Sequence, residues 1–357
     1  MMETNNYPKN DTYILIPAYR PDHLLIELLI NLKKESFDVV VVNDGSGDQY
    51  DEVFKEAEKY AVVLKQNINR GKGAALRFGF SYVNLHPNNH NYVITCDADG
   101  QHAIKDIIRV NDKLHETNNV VLGSRKFDKS VPKRSRNGNF MSRLCRTLIT
   151  KSYVPDDQCG LRGFPIKDIF NIITLPGDHY EYEMNVICNL QIKRLKFEEV
   201  PIETIYLDGN KSSHFKPNLD TFRIQRSIWM NAITPFVCAL LSIAMMIVLN
   251  AIWRDVGLYA YLFLGCSYLF YFQALMGVTA FVWPTKKMGR RVLIEGGYAT
   301  VKTLLIFVLW TVMYEVLHIF PSIAYTIALL LTFLLNFPLA YLAWKLKNRY
   351  GNKNNKE

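Results

Sequence analysis

The sharpest chemical feature of the chain is Asp97-Ala-Asp99. Two carboxylates two residues apart, on a turn leaving an apolar strand, can reach one hard cation. Mg²⁺ or Mn²⁺ suits such a pair, because it takes one or two carboxylates plus substrate phosphates and keeps several waters. Gln101 can add a carbonyl oxygen on the same side. A bare D-x-D is weak evidence, and a solvated turn explains most of them. Here other polar segments accompany it. Asp44, within Asn43-Asp-Gly-Ser-Gly-Asp48, can accept from a ring N–H of a nucleobase, or can cap the next helix through an Asx turn. Asn69-Arg-Gly-Lys-Gly73 offers glycines and backbone N–H groups at a helix start, which suits phosphate. It matches neither G-K-[ST] nor G-x-G-x-x-G.

Further along, Asp156-Asp157 marks a turn or a carboxylate flanking a transferred group, with Asp157 the candidate. Tyr180-Glu-Tyr-Glu183 can add a carboxylate to the same site, and Ser212-Ser-His-Phe215 can touch phosphate. Between Arg125 and Lys151 there are nine basic residues and one acid, Asp128. Within that run Phe140, Met141, Leu144 and Leu148 fall on one helical face, with Arg143 and Arg146 off it. A basic amphipathic helix reads as membrane-surface. Leu219–Trp229 is a second such segment. Together they are expected to press the active edge against anionic headgroups.

The elements that must position these residues alternate. Apolar runs at Tyr13–Ile16, Val39–Val42, Val62–Leu64, Tyr92–Thr95 and Val120–Leu122 read as buried strands. Amphipathic patterns at 22–35, 49–60, 72–85 and 103–116 read as helices. Such alternation implies right-handed crossovers and a mainly parallel sheet covered on both faces. Ligands bind beyond the carboxyl ends of such strands. Every polar segment singled out up to Arg125 follows a strand, so all should converge on one edge.

The final third is different. Residues 1–230 carry 31 Lys and Arg against 29 Asp and Glu, whereas residues 231–357 carry 11 against 4. Four apolar stretches fill that third: Asn231–Trp253, Gly257–Trp283, Tyr298–Phe320 and Ser322–Trp344. About 20 apolar residues at ~1.5 Å rise cross a hydrocarbon core of ~30 Å. Lys286, Lys287, Arg290 and Arg291 separate the second and third stretches, and Lys345, Lys347, Arg349, Lys353 and Lys356 follow the fourth. By the positive-inside rule, both charged ends and the N-terminal domain face the cytoplasm. The basic excess therefore reads as loop charge at a membrane, not as a nucleic-acid face. Glu315 and His318 fall inside the third stretch, near its outer end. The N-terminus lacks the pattern of a signal peptide. The six cysteines form no C-x-x-C pair and read as reduced thiols without structural zinc.

In order, IPAYRP, VVNDGSGD, NRGKGAA, DADGQH, GSR and DDQCGLRG resemble glycosyltransferase family 2 over roughly residues 11–230. They look most like its polyprenyl-phosphate branch, related to dolichyl-phosphate mannose synthase and bacterial bactoprenol glucosyltransferases. The last third resembles, more loosely, a small four-helix membrane domain associated with lipid-sugar flipping. The resemblance implies a GT-A glycosyltransferase domain at 1–214, an interfacial helix at 215–230 and a four-helix transmembrane domain at 231–357. It implies that Pro17, Ala18, Tyr19, Asp44, Lys72, Asp97 and Ala98 hold a UDP- or GDP-linked sugar. Asp97, Asp99 and Gln101 would carry Mg²⁺ or Mn²⁺. Arg125, with Arg136, Arg143, Ser213 and His214, would hold the phosphate of a polyprenyl acceptor, and Arg125 and Asp157 would flank the reaction. Self-association is compatible with all of this.

The expected reaction is inverting transfer of the sugar to the lipid phosphate. That phosphate is anionic near neutral pH, so it needs positive groups to hold it rather than a strong base. Transfer to a sugar hydroxyl, as in polysaccharide synthases, would need such a base. Processive synthases of the family carry Q-x-x-R-W, and Gln225-Arg-Ser-Ile-Trp229 does not match that spacing. A flippase or scaffold that only binds nucleotide sugar is the third alternative.

Overall fold

The structure is a computed structural model, which describes residues 7–125, 133–193, 195–203, 217–230, scattered positions between 237 and 251, and 288–354. The chain divides into two compact units. One comprises Met1–Arg143 and Val154–Ser227; the other comprises Leu144–Tyr153 and Ile228–Glu357.

The first unit is built on strands β1 (Thr12–Ala18), β2 (Asp38–Asp44), β3 (Val62–Gln66), β4 (Tyr92–Thr95), β5 (Val120–Arg125), β6 (Arg162–Pro165) and β7 (Phe197–Ile202). They form one sheet in the order β3-β2-β1-β4-β6-β5-β7. The five strands expected from the apolar runs are all present, and β1 pairs in parallel with both β2 and β4. Helices α1 (His23–Lys34), α2 (Asp51–Ala57), α3 (Lys72–Leu85) and α4 (Ile104–Thr117) follow the amphipathic patterns.

Side chains alternate across the sheet, as a period of two demands. Ile14, Ile16, Val39, Val41 and Ile94 pack on one face with Leu25, Leu29 and Ile107. Tyr13, Leu15, Val40, Val42 and Val93 pack on the other with Leu76, Phe80, Phe164 and Tyr182. β1, β2 and β4 are buried on both faces, which is why they read as continuous apolar runs. β3 corrects the expectation of a buried strand: it lies at the sheet edge, where one side has no strand to cover it, and Val62 is 45% exposed.

Two strands carry no such run. β6 is four residues long and includes Gly163 and Pro165; β7 is FEEVPI, with two glutamates and a proline. β6 lies antiparallel to β4 and to β5, between them, and β7 pairs in parallel with β5. The antiparallel insertion makes the sheet mixed. It also brings the Asp156–Gly160 loop, which feeds β6, to the carboxyl ends of β4 and β5.

Later helices are α5 (Lys133–Thr150), α6 (Ile169–Ile173), α7 (Glu181–Ile192) and α8 (Pro217–Met230). The division between units falls within α5. Its apolar stripe is not uniformly outward: Phe140 and Met141 are exposed, Leu148 is buried, and Arg146 is fully buried. The Arg146 guanidinium donates to the Ser152 carbonyl at 3.2 Å, so it serves a chain turn rather than solvent. On α8, Leu219, Phe222, Trp229 and Met230 are exposed, while Ile224 is buried and the Ser227 hydroxyl donates to Asn185 Oδ1.

In the second unit, helix Met288–Thr311 runs into a π-helical turn, Val312–Val316. Helices Pro321–Leu334 and Asn336–Asn354 follow. Ile306, Trp310 and Met313 pack on Tyr325 and on Ala324 and Ala328, whose small side chains admit a close approach. The Asn336 amide donates to the Leu148 carbonyl at 2.9 Å, and Tyr153 packs its ring against Phe337, Tyr341 and Trp344. Among the described residues one helical stretch is long and apolar enough to cross a membrane, Pro321–Arg349, with 29 residues and a mean hydropathy of 1.9. It contains the fourth expected span. The second expected span lies outside the described residues and the first does so largely. Glu315 sits on the π-helical turn and His318 in the connection before Pro321, both exposed.

Candidate active site

The carboxyl ends of the strands gather the charged residues as the alternation requires. β4 ends at Thr95, and the chain turns through Cys96 into Asp97-Ala-Asp99. Asp97 does not stand open. Its Oδ1 lies 2.6 Å from Lys72 Nζ, and its Oδ2 lies 3.5 Å from His102 Nε2. Lys72 opens α3, and its ammonium also lies 2.9 Å from Glu183 Oε2 on the first turn of α7. Asp99 turns back on its own loop and accepts from the Gln101 backbone N–H at 3.1 Å.

The electrostatics follow. Burial works against the charge on Lys72, but Asp97 and Glu183 outweigh it and hold the ammonium's pKa above the usual lysine value. Burial also opposes ionisation of Asp97, yet Lys72 and His102 hold its carboxyl far below the usual range. Asp99 is raised instead, by burial and by the adjacent Asp97 charge. Two carboxylates, Asp97 and Glu183, thus share one ammonium, with the Asp99 carboxylate beside them. His102 is 7% exposed, and neither ring nitrogen has a hydrogen-bond partner.

Hard oxygen donors, excess negative charge and an orphaned imidazole beside them are what a divalent cation would satisfy. The donor set therefore fits Mg²⁺ or Mn²⁺ held by Asp97, Asp99 and Gln101. Among the described residues, however, no three His, Cys, Asp or Glu side chains gather around one point. Lys72 stands at Asp97 instead.

The loop before β6 locks against this cluster. Thr95 Oγ1 donates to the Gly160 carbonyl at 2.8 Å. A Cβ at Gly160 would fall 2.6 Å from Asp97 Oδ2, so only glycine admits the carboxylate. Arg162 is 3% exposed and fans out to three carbonyls: Nε to Cys159 at 2.9 Å, Nη1 to Glu183 at 2.6 Å and Nη2 to Asp157 at 3.3 Å. One guanidinium thereby fixes the loop, the strand start and the helix turn that carries Glu183.

Asp44, 3% exposed at the end of β2, accepts from the backbone N–H groups of Arg70 and Gly71, both at 2.8 Å. Burial outweighs those bonds and raises its pKa. This corrects one expectation: two of the N–H groups expected to cradle phosphate in Asn69–Gly73 are spent on Asp44. The close approach needs Gly71, whose φ is +100° and whose missing Cβ would meet His179 Nδ1 at 2.3 Å. Each Asp44 oxygen retains a lone pair for a base. Pro17 and Ala18 close β1. Tyr19, partly exposed, lies under the Arg20 guanidinium at 5.0 Å, and the Arg20 N–H donates to Ser46 Oγ at 2.9 Å. Ala98 is partly buried between the two aspartates.

Arg125, at the end of β5, is paired. Its Nε and Nη2 reach Asp156 at 2.7 and 3.2 Å, and its N–H donates to the same carboxylate at 3.1 Å. Asp157 is 2% exposed and accepts from Ser142 Oγ at 3.3 Å. Arg143 donates to the Pro155 carbonyl at 2.7 Å. The Asp156–Asp157 pair thus ties α5 and β5 to the loop feeding β6. Arg136 lies on α5, but its side chain is outside the described residues, as are Ser213 and His214.

The sequence reading missed Arg162 and His102 and gave Glu183 only a loose place. Both missed residues stand inside recognised segments, DDQCGLRG and DADGQH. Nothing in periodicity distinguishes a buried arginine from a solvated one.

Residues 13–168 match the family model described as Glycosyl transferase family 2. An uncharacterised protein of Methanocaldococcus jannaschii is 36% identical over 59% of this chain and 88% of its own length. A UDP-N-acetylglucosamine–dolichyl-phosphate N-acetylglucosaminyltransferase of Methanococcus voltae is 29% identical over 55% of this chain and 86% of its own. A dolichyl-phosphate beta-glucosyltransferase of Dictyostelium discoideum is 27% identical over 63% of this chain and 79% of its own. With its mixed sheet, its acidic turn after β4 and these relatives, the chain belongs to glycosyl transferase family 2 and is a glycosyltransferase.

Proposed function

We propose that the enzyme transfers a sugar from a UDP- or GDP-linked donor to a polyprenyl phosphate at the cytoplasmic face of a membrane. The observation that carries this reading is the pair of carboxylates, Asp97 and Glu183, on Lys72, with Asp99 beside them, at the sheet edge where Asp44 and Arg125 also end their strands. Relatives that act on dolichyl phosphate support the acceptor class.

Asp44 and Tyr19 are proposed to hold the nucleoside, and Lys72 to meet the diphosphate. Asp97, Asp99 and Gln101 would carry Mg²⁺ or Mn²⁺, which when bound supplies positive charge against the leaving diphosphate. An oxygen of the acceptor phosphate bonds to the anomeric carbon as the bond to the nucleoside diphosphate breaks, inverting that carbon. The acceptor is already anionic, so the work left to protein groups is holding two anions together. Arg125 is charged at every relevant pH, and Asp156 fixes its direction. Arg136, Arg143, Ser213 and His214 are proposed to complete the phosphate contacts, and Asp157 to position Ser142 and the loop beside the sugar. The exposed apolar residues of α5 and α8 are proposed to lie in the interface, with residues 231–357 as a multi-pass anchor.

Membranes containing the enzyme, incubated with labelled nucleotide sugars and a short polyprenyl phosphate, should yield a mild-acid-labile lipid product. Polymer would indicate a hydroxyl acceptor, and no turnover a binding scaffold. Asp99→Asn should lose about a hundredfold or more in kcat, in line with removing a group that acts in the transition state. Full activity there, with a divalent ion still required, would refute the assigned ligand.

A further inference from the structure

Lys72 and the divalent cation have claims on the same carboxylate. Asp97 Oδ1 sits 2.6 Å from the Lys72 ammonium, inside an ion pair that is 17% exposed on the lysine side. A cation coordinated by that oxygen at about 2.1 Å would bring two and one positive charges within a few ångströms of each other. Lys72 and the cation therefore compete for Asp97.

Glu183 decides what happens next. Its Oε2 lies 2.9 Å from the same ammonium, and its backbone is pinned by Arg162 through the Glu183 carbonyl at 2.6 Å. The four-carbon stem of Lys72 can swing about that second carboxylate without losing charge compensation. A nucleoside diphosphate entering beside the first turn of α3 offers oxygens of the same charge type as the one Lys72 leaves.

We propose that Lys72 is an internal counter-ion that occupies Asp97 until the donor arrives, then passes to the donor diphosphate while Glu183 retains it as a positioning residue. Asp97 is thereby more available to the metal when nucleotide is present. Metal and donor would then bind with mutual reinforcement, each by the same factor. His102 stands beside the opposite oxygen of Asp97, its Nε2 3.5 Å away.

The inference rests on the metal assignment made above, and direct Mn²⁺ titration of the full-length enzyme, followed by electron paramagnetic resonance without nucleotide, separates the two. Lys72→Met and Lys72→Gln should bind Mn²⁺ about tenfold more tightly than the wild type, the scale of releasing one partly desolvated carboxylate from an ion pair. The same variants should gain less Mn²⁺ affinity on adding UDP or GDP than the wild type does. Glu183→Gln should bind Mn²⁺ alone more weakly, because Lys72 then has Asp97 as its one carboxylate. Unchanged or weaker Mn²⁺ binding in both Lys72 variants, with circular dichroism like the wild type's, overturns the exchange. If wild-type binding is also indifferent to Asp99→Asn, the metal assignment itself falls; if Asp99→Asn abolishes it, the exchange alone is wrong.

Discussion

At the level of single residues, the site is governed by which partner each charge has in the absence of ligand. Asp97 is paired with the Lys72 ammonium and lies beside His102, whereas Asp99 accepts from the Gln101 backbone, although they are two positions apart in the sequence. That asymmetry comes chiefly from Lys72, which arrives from another element, the start of α3. Gly160 completes it by leaving room. Gly160→Ala should push the Asp97 carboxylate off its partners, because the added Cβ would stand 2.6 Å from Oδ2. The expected outcome is a loss of at least about tenfold in kcat/KM with a change in melting temperature of only a few degrees, since about 1–2 kcal/mol of crowding is spread over one mobile side chain. A variant with wild-type kinetics would show that Asp97 need not stay where it is. Cys159 offers a second check. Burial, and then the Asp156 carboxylate, push its thiol up to about 12. A raised thiol pKa means the thiol form persists through the neutral range, so iodoacetamide should leave Cys159 unmodified in the native enzyme at pH 8 and modify it after denaturation.

At the level of elements, the unexpected strand β6 has the largest consequence. A wholly parallel sheet would leave the Asp156–Gly160 loop without a route to the carboxyl edge. The antiparallel insertion supplies that route, and Arg162, at its first position, holds the loop and α7 together. Arg162→Lys keeps the charge but loses the planar fork, so at least one buried carbonyl goes unpaired. A destabilisation of about 2 kcal/mol, read as a fall of about 5 °C in melting temperature, is expected. KM for the donor should rise as well, since the Glu183 turn loosens with it. No change in either would mean that Arg162 fills space rather than fastening the loop. α5 teaches a related lesson. Its basic, amphipathic sequence reads as a surface helix, yet Arg146 is fully buried and Leu148 is covered, while Phe140 and Met141 are exposed. The helix has different neighbours along its length, and a single-face reading averages over them.

At the scale of the whole molecule, the charge asymmetry makes a topological prediction. The cluster at Lys286, Lys287, Arg290 and Arg291 and the basic tail should lie on the same side of the membrane as the catalytic unit. A cysteine placed at Lys286, in a background lacking the native cysteines, should react with a membrane-impermeant maleimide in inverted vesicles and not in right-side-out ones. Labelling in the opposite sense would reverse the orientation and separate the catalytic unit from a cytoplasmic donor. Helix Pro321–Arg349 meets the length and hydropathy of a span by itself.

Sequence alone determined the first five strands, the helices between them, the acidic turn and the family, because apolar strand runs and strand-end loops leave contiguous residue patterns. It could not determine that β6 and β7 exist, since four residues with a glycine and a proline, and an edge strand with two glutamates, carry no periodic signal. Nor could it determine that Lys72 faces Asp97, that Arg162 is buried, or that Asp44 takes the N–H groups of Arg70 and Gly71. Those pairings join residues 21 to 111 positions apart, and chain closure around a mixed sheet, not local preference, decides them.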